Sequence, residues 1–414
     1  MSSRALRPVL ALSLLTGLNF LNYIDRYILF GVQPLIKQEF HPSDTALGAL
    51  TTVFFIFYMC SAPGVGFLAD RKSRKLIITI GALVWSGATL MTAVTHSFRT
   101  LLVRHTIVGI GEATFALIAP AYIADLYTED RRGRVLSIFY LAIPVGAALG
   151  YIIGGALGTT YGWRAPFYVC AVPGFLVGLA FYFSGKEPER GEKEVSFSTF
   201  ERTTFAGLLR NPAFWTAVLG MAFMTFAMGG ISAWIPTFLE RERGIALDKA
   251  NYYFGVITVL TGLAGTMVGG WIGDWMLSRS RSGYYLLSAI SMLLAVPGAL
   301  YAFYGNPAWM FPALGISEFF LFLNTGPLNA AIVNSVAAPI RATAIGVELF
   351  VIHLLGDAIS PTIIGAISDR SSLRLGFSVT LVAMLFSAAI LFVGMRFAPP
   401  RSGEPALAGA GVTA

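Results

Sequence analysis

Apolar residues along this chain run in long stretches broken by short polar loops, and the stretches share a narrow range of lengths. They fall at approximately 9 to 36, 45 to 69, 76 to 95, 100 to 126, 135 to 159, 164 to 183, 213 to 239, 251 to 277, 284 to 304, 308 to 336, 342 to 367 and 375 to 397. A helix needs roughly 20 mostly apolar residues to cross a bilayer, so the pattern predicts twelve spanning helices, spans 1 to 12. The fold class is an all-α integral membrane protein. Between spans 6 and 7 the pattern breaks at Lys186, Glu187, Glu189, Arg190, Glu192, Lys193 and Glu194. This charged run divides the chain into an N-terminal six-helix bundle (1–184), a cytoplasmic linker (185–212), a C-terminal six-helix bundle (213–400) and a cytoplasmic tail (401–414). Within the linker, Phe197, Phe200, Phe205, Leu208 and Leu209 fall on one face before Asn211 and Pro212, predicting a short helix lying on the inner membrane surface.

Composition agrees with the pattern: 56% of residues are hydrophobic, 12% are charged and mean hydropathy is +0.70, which excludes a soluble domain. The net charge of +7 does not indicate nucleic-acid binding, because the basic residues sit in loops between spans. Of the 29 Lys and Arg, 19 lie at the chain ends or in the loops after the even-numbered spans, Arg71, Lys72, Arg74, Lys75, Arg131, Arg132 and Arg134 among them. By the positive-inside rule that side is cytoplasmic, with both termini on it. The first stretch is too polar in its middle for a cleaved signal peptide and is expected to remain. Cys60 and Cys170 both fall in apolar stretches, so no structural disulfide is expected. Short loops suit a bacterial inner membrane.

Against this apolar background the charged residues within spans stand out. Asp25 and Arg26 are adjacent in the middle of span 1, where an unpaired charge costs at least roughly 2.5 to 3.5 kcal/mol and therefore marks a polar cavity or an ion route. Asn22 precedes them by one helical turn and can orient either. Glu112 lies near the middle of span 4 and is a candidate proton carrier. In span 11, His353 and Asp357 are four residues apart, a spacing that supports a hydrogen-bonded pair. Glu318 and Asn324 in span 10, with Asn329 and Asn334, can line a cavity or bond between helices. Aromatic residues available to a pathway include Phe54, Tyr58, Phe115, Tyr122, Tyr140, Phe226, Trp234 and Phe319.

A weak internal repeat links the halves. Gly66 precedes Asp70 by four residues after span 2, and Gly270 precedes Asp274 by four after span 8; Pro120 and Arg134 have the spacing of Pro327 and Arg341. Parallel repeats of this kind imply two bundles with the solute site between them. Gly365 and Asp369, followed by Arg370, have the same form. The span count puts them at the other end of the bundle, and they are discounted as a counterpart.

The segment Gly66-Phe67-Leu68-Ala69-Asp70-Arg71-Lys72-Ser73-Arg74-Lys75 resembles the cytoplasmic signature of the major facilitator superfamily. The resemblance implies a latch in which Gly66, Asp70, Arg71 and Arg74, with Gly270 and Asp274 in the second half, hold the cytoplasmic side closed and release as it opens. Pro144, Gly146, Gly150, Gly154 and Gly155 resemble the superfamily's glycine-rich span 5 motif, read as helix packing with a bend at Pro144. Five segments resemble the spinster branch, which includes sphingosine-1-phosphate and lysophospholipid transporters: Leu21 to Arg26, Val108 to Ala113, Ile118 to Pro120, Ser137 to Gly146, and His353 to Arg370. The branch implies a charged cluster joining spans 1 and 4. His105 stands where the family usually has an arginine, with Arg104 one residue away. At about 100° per residue, His105 is nearly eclipsed with Glu112, making Arg26 the expected fixed positive charge of the cluster.

The chain has no Gly-x-x-x-x-Gly-Lys-Ser/Thr loop and no His-Glu-x-x-His cluster. It is read as a non-enzyme without cofactor or metal, acting as a monomer. The leading expectation is a proton-coupled secondary transporter of an amphipathic lipid-like solute, with protons and membrane lipids as its other partners. Asp25, Glu112 and His105 carry protons in this reading. Arg26, Asn22, Arg104, Tyr58, Tyr122, Trp234, Glu318, Asn324, His353 and Asp357 bind the solute or its charge. The alternatives are an organic-anion symporter using Arg26 and Arg104, and a non-transporting membrane sensor or passive lipid facilitator.

Overall fold

The computed structural model describes residues 3–69, 71–127, 129–184, 187, 205–336 and 340–399. Among these residues all regular structure is helical. Span 1 lies within the helix Ser3–Phe40, whose last turn extends beyond the apolar stretch, and the remaining spans are Asp44–Ala69, Arg74–Ala93, Phe98–Leu126, Arg134–Tyr161, Ala165–Ser184, Pro212–Arg241, Leu247–Leu277, Gly283–Tyr304, Pro307–Asn334, Thr343–Arg370 and Leu373–Phe397. These eleven are long and apolar enough to cross a membrane. Span 1 is the least apolar of the long helices, as Asp25 and Arg26 in its middle require. Phe205–Leu209 forms a short helix, whereas positions 197 and 200 of the predicted interfacial helix lie outside the described residues.

Three spans are interrupted, each where a proline acts one turn upstream. Proline lacks an amide hydrogen and its ring clashes with the carbonyl four residues earlier. The first helix of span 5 ends at Tyr140, four residues before Pro144. In span 10 the first helix ends at Leu323, four before Pro327. Span 11 contains a π-helical turn, His353–Asp357, that ends four residues before Pro361 and includes Gly356 at non-helical angles. The seven prolines inside other helices cause no such break, so position and neighbours decide the outcome.

Spans 1 to 6 pack mainly with one another, as do spans 7 to 12, and the two groups meet along spans 2 and 11 and along spans 5 and 8. Gly146, Gly150 and Gly154 press span 5 onto span 1, the packing expected of the glycine motif. The ends of the molecule differ. Away from the termini the halves are tied together: Tyr151 donates to the Ser232 carbonyl at 2.7 Å, Asn251 to the Gly31 carbonyl at 3.0 Å, and Thr52 to the Ala358 carbonyl at 2.5 Å. At the end nearer the termini, side chains built at Gly64, Gly66, Gly270 or Gly346 would meet nothing within 4 Å. These ties between the halves lie toward the end away from the termini.

Candidate functional site

The polar centre is assembled by close approach at span 4. A side chain at Gly109 would lie 2.5 Å from the Phe54 carbonyl of span 2, and one at Gly111 would lie 2.7 Å from the Trp85 amide of span 3. These two glycines let neighbouring helices close around Glu112, which is 0% exposed. From span 1, Arg26 reaches across to Glu112 at 2.6 Å. Its guanidinium carbon also lies 5.1 Å from the Tyr23 ring centre, 4.9 Å from Phe54 and 5.5 Å from Phe55. Cation–π attraction of this kind strengthens when the cation is desolvated. Asp25 is also buried and turns the other way, accepting a hydrogen bond from Thr89 of span 3.

The cluster is not saturated. Among the described residues, Glu112 Oε1, Arg26 Nε and Asn22 Nδ2 are buried without hydrogen-bond partners. Asn22 lies against Glu112, but the two do not form a well-directed bond. Such atoms carry a desolvation cost of about 1 to 3 kcal/mol each, so a ligand whose polar groups pair with them binds with that much in its favour.

Across the interface, His353 Nδ1 is 2.9 Å from Asp357 Oδ1, as the four-residue spacing predicts, although the intervening turn is π-helical. The His353 ring stacks on Phe55 with centres 4.8 Å apart and meets Tyr58 edge-on at 5.8 Å. Phe55 therefore touches the Arg26 guanidinium of its own half and the His353 imidazole of the other. The arrangement holds a buried ion pair, a second titratable pair and aromatic surface between two halves.

The other anticipated residues are distributed unevenly. His105 is buried with its ring 5.3 Å from Phe54, at the edge of the cluster. Arg104 lies elsewhere, donating to the Met91 carbonyl and, at 2.5 Å, to Thr95 Oγ1 at the end of span 3. Glu318 is buried and accepts from Thr258 at 3.2 Å. Asn324 braces span 10 against span 9, donating to Ser291 Oγ at 3.3 Å. Tyr122 is packed edge-on with Phe181 inside the first half. Trp234 is fully buried and donates to the Pro361 carbonyl at 2.8 Å. Asp70 lies outside the described residues. Arg71 stacks on Phe67, Arg74 pairs with Asp125, and Asp274 accepts from Tyr284 at 2.7 Å. Sequence reasoning missed Tyr23, Phe55 and Glu348. Tyr23 is three residues before Arg26, a helical neighbour spacing that could have revealed it; Phe55 carries no such signal. Glu348 is 2% exposed in span 11, and its charge in an apolar run was a signal.

Residues 15–350 match the Major Facilitator Superfamily profile. Protein spinster homolog 3 of Danio rerio is 36% identical over 388 residues, covering 88% of this chain and 78% of that protein. The chain belongs to the spinster family of major facilitator transporters. Another spinster relative, the sphingosine-1-phosphate transporter SPNS2 of Xenopus tropicalis, is 33% identical over 413 residues, covering 94% of this chain and 80% of its own length. The fold matches the crystal structure of a bacterial homolog to the human lysosomal transporter Spinster, in an inward-facing and unoccupied conformation, with a TM-score of 0.85 at 24% identity over 96% of this chain and 98% of that one. This spinster protein is thus a multi-pass membrane transporter and not an enzyme.

Proposed function

We propose that the chain is a proton-coupled secondary transporter that moves an amphipathic solute of the lysophospholipid or sphingoid phosphate type by alternating access. The observation that carries this reading is the Arg26–Glu112 pair, set against the Phe55 ring that also stacks on His353 of the opposite half. An anionic head group on Arg26 competes with the Glu112 carboxylate. Protonating Glu112 removes the competitor, so a proton and an anionic head group occupy the cluster together. Asp25 and His105 modulate its charge, while Asn22, Tyr58, His353, Asp357 and Glu318 contribute polar contacts. Tyr23, Phe54 and Phe55 offer surface to the apolar part of the solute.

The positive-inside bias supports a cytoplasmic location for the end nearer the termini, and the short loops suit a bacterial inner membrane. Side chains built at Gly66 and Gly270 would meet nothing within 4 Å there, which fits a latch released as that side opens. A transported head group of small organic-anion type is less well served, because Arg104 is engaged at the end of span 3.

The test is flux in proteoliposomes with and without an imposed pH gradient, comparing lysophospholipids and sphingoid phosphates with small organic acids. Gradient-dependent movement of the lipid-like solutes is expected. Preferential movement of the organic acids would favour the symporter reading, and binding without flux of any solute would favour a sensor.

A further inference from the structure

The segment discounted in sequence as the third Gly-x-x-x-Asp is the one engaged across the two halves. A side chain at Gly365 would lie 2.3 Å from the Asp44 carbonyl, and one at Gly48 would lie 2.4 Å from the Pro361 carbonyl. Spans 2 and 11 therefore touch backbone to backbone. Four residues beyond Gly365, Asp369 accepts from the Asp44 amide at 2.7 Å, the Thr45 amide at 2.8 Å and Thr45 Oγ1 at 2.6 Å. Its carboxylate caps the first turn of span 2 from the opposite half, where free amides and the helix dipole favour an anion. Asp44 answers in the other direction. Its carboxylate accepts from Ser368 at 2.6 Å and from Arg241 at 2.6 and 3.1 Å, both in the second half, and from Lys37 in its own.

We infer that Asp369 and Asp44, on the glycine contact of Gly365 and Gly48, form a reciprocal latch that holds the end away from the termini closed and sets how often it opens. The same short motif recurs at both ends of the molecule: Gly365 is packed against span 2, while a side chain at Gly66 would meet nothing within 4 Å. The inference rests on the alternating-access reading and adds the residues that time one of its two gates. Asp369 positions the halves and does not touch the solute.

Spin labels at Arg99 and Ala308 report the latched end, and labels at Leu76 and Ser278 report the other; all four sites are exposed. Cys60 and Cys170 are replaced by alanine, and distances are measured in lipid by double electron–electron resonance. Asp369→Asn keeps the volume and one acceptor oxygen but removes the charge, so the chain has little reason to misfold. It is expected to raise the population with long Arg99–Ala308 distances roughly tenfold, the usual scale for losing charge-assisted bonds, with a matching rise in short Leu76–Ser278 distances. Asp44→Asn should act in the same direction. Wild-type proportions at both ends in both variants would overturn the latch. So would opening at the latched end without closure at the other, since that marks a local brace. A wild-type protein holding one distance at each end under every solute and pH condition would overturn alternating access itself, and the latch with it.

Discussion

The two halves bury charge in different ways. In the first half the charged side chains ride on unbroken helices: Arg26 on Ser3–Phe40 and Glu112 on Phe98–Leu126, paired at 2.6 Å with the carboxylate fully enclosed. In the second half His353 and Asp357 sit on a π-helical turn in a broken span, and both side chains are 18% exposed. π-bulges recur at functional sites, and this one places a titratable pair where the backbone is already irregular. The contrast suggests a division of labour. On the function proposed above, the first half would supply an ion pair with an enclosed carboxylate whose neutralisation has a large effect, and the second a pair carried on an irregular turn.

The sharpest way to break that division is Glu112→Gln, which removes the titrating group but leaves its volume. Gradient-driven uptake should fall at least tenfold, while solute exchange at equal pH on both sides continues; unchanged gradient dependence would end the proton role of Glu112. Arg26→Lys should come next. Lysine keeps the charge but loses the planar fork and the stacking on aromatic faces, so affinity for phosphate-bearing solutes is expected to drop roughly tenfold in binding titrations, with little change for analogues lacking the phosphate. Asp357→Asn should slow turnover only severalfold and leave the pH response largely in place. If it abolished the pH response as completely as Glu112→Gln, the two halves would share the titration and the comparison would fail.

The smallest effect is expected outside the membrane core. Arg164 donates to both oxygens of Glu39 at 2.6 Å, and these bonds hold the Glu39 carboxyl below its ordinary range. A depressed carboxylate contributes stability that is present above its unfolded value and lost as pH falls through the folded one. Because both side chains are substantially exposed, the contribution should stay below about 1 kcal/mol. Thermal melting of the wild type and Glu39→Gln should therefore differ slightly at neutral pH and converge in acid.

Much of this was legible in sequence because lipid makes charge conspicuous. Asp25, Arg26, Glu112 and the His353–Asp357 spacing all announce themselves against apolar runs, and span lengths follow from bilayer thickness. What remained hidden depends on which way a helix faces. Phe55 was indistinguishable from the lipid-facing aromatics, while Trp234 and Tyr122 were anticipated at the pathway but are buried in packing. Arg104 and His105 are one residue apart, and that rotation sends the first to the end of span 3 and the second to the cluster. Prolines signalled possible breaks, yet seven within other helices leave them unbroken, so only tertiary neighbours separate the two outcomes. Gly365 to Asp369 was placed at the opposite end from its counterparts, and the structure packs it there against the start of span 2, a contact that carried no signal in sequence.

Phe55 has a further use. Its contact with Arg26 lies inside one half, so under the rocking motion proposed above it should persist, whereas its stack on His353 joins the halves and is expected to part. The ring is therefore a natural place for an optical or magnetic label. A fluorinated phenylalanine at this position would feel the imidazole ring current switch on and off, converting a domain movement tens of residues long into the chemical shift of a single nucleus.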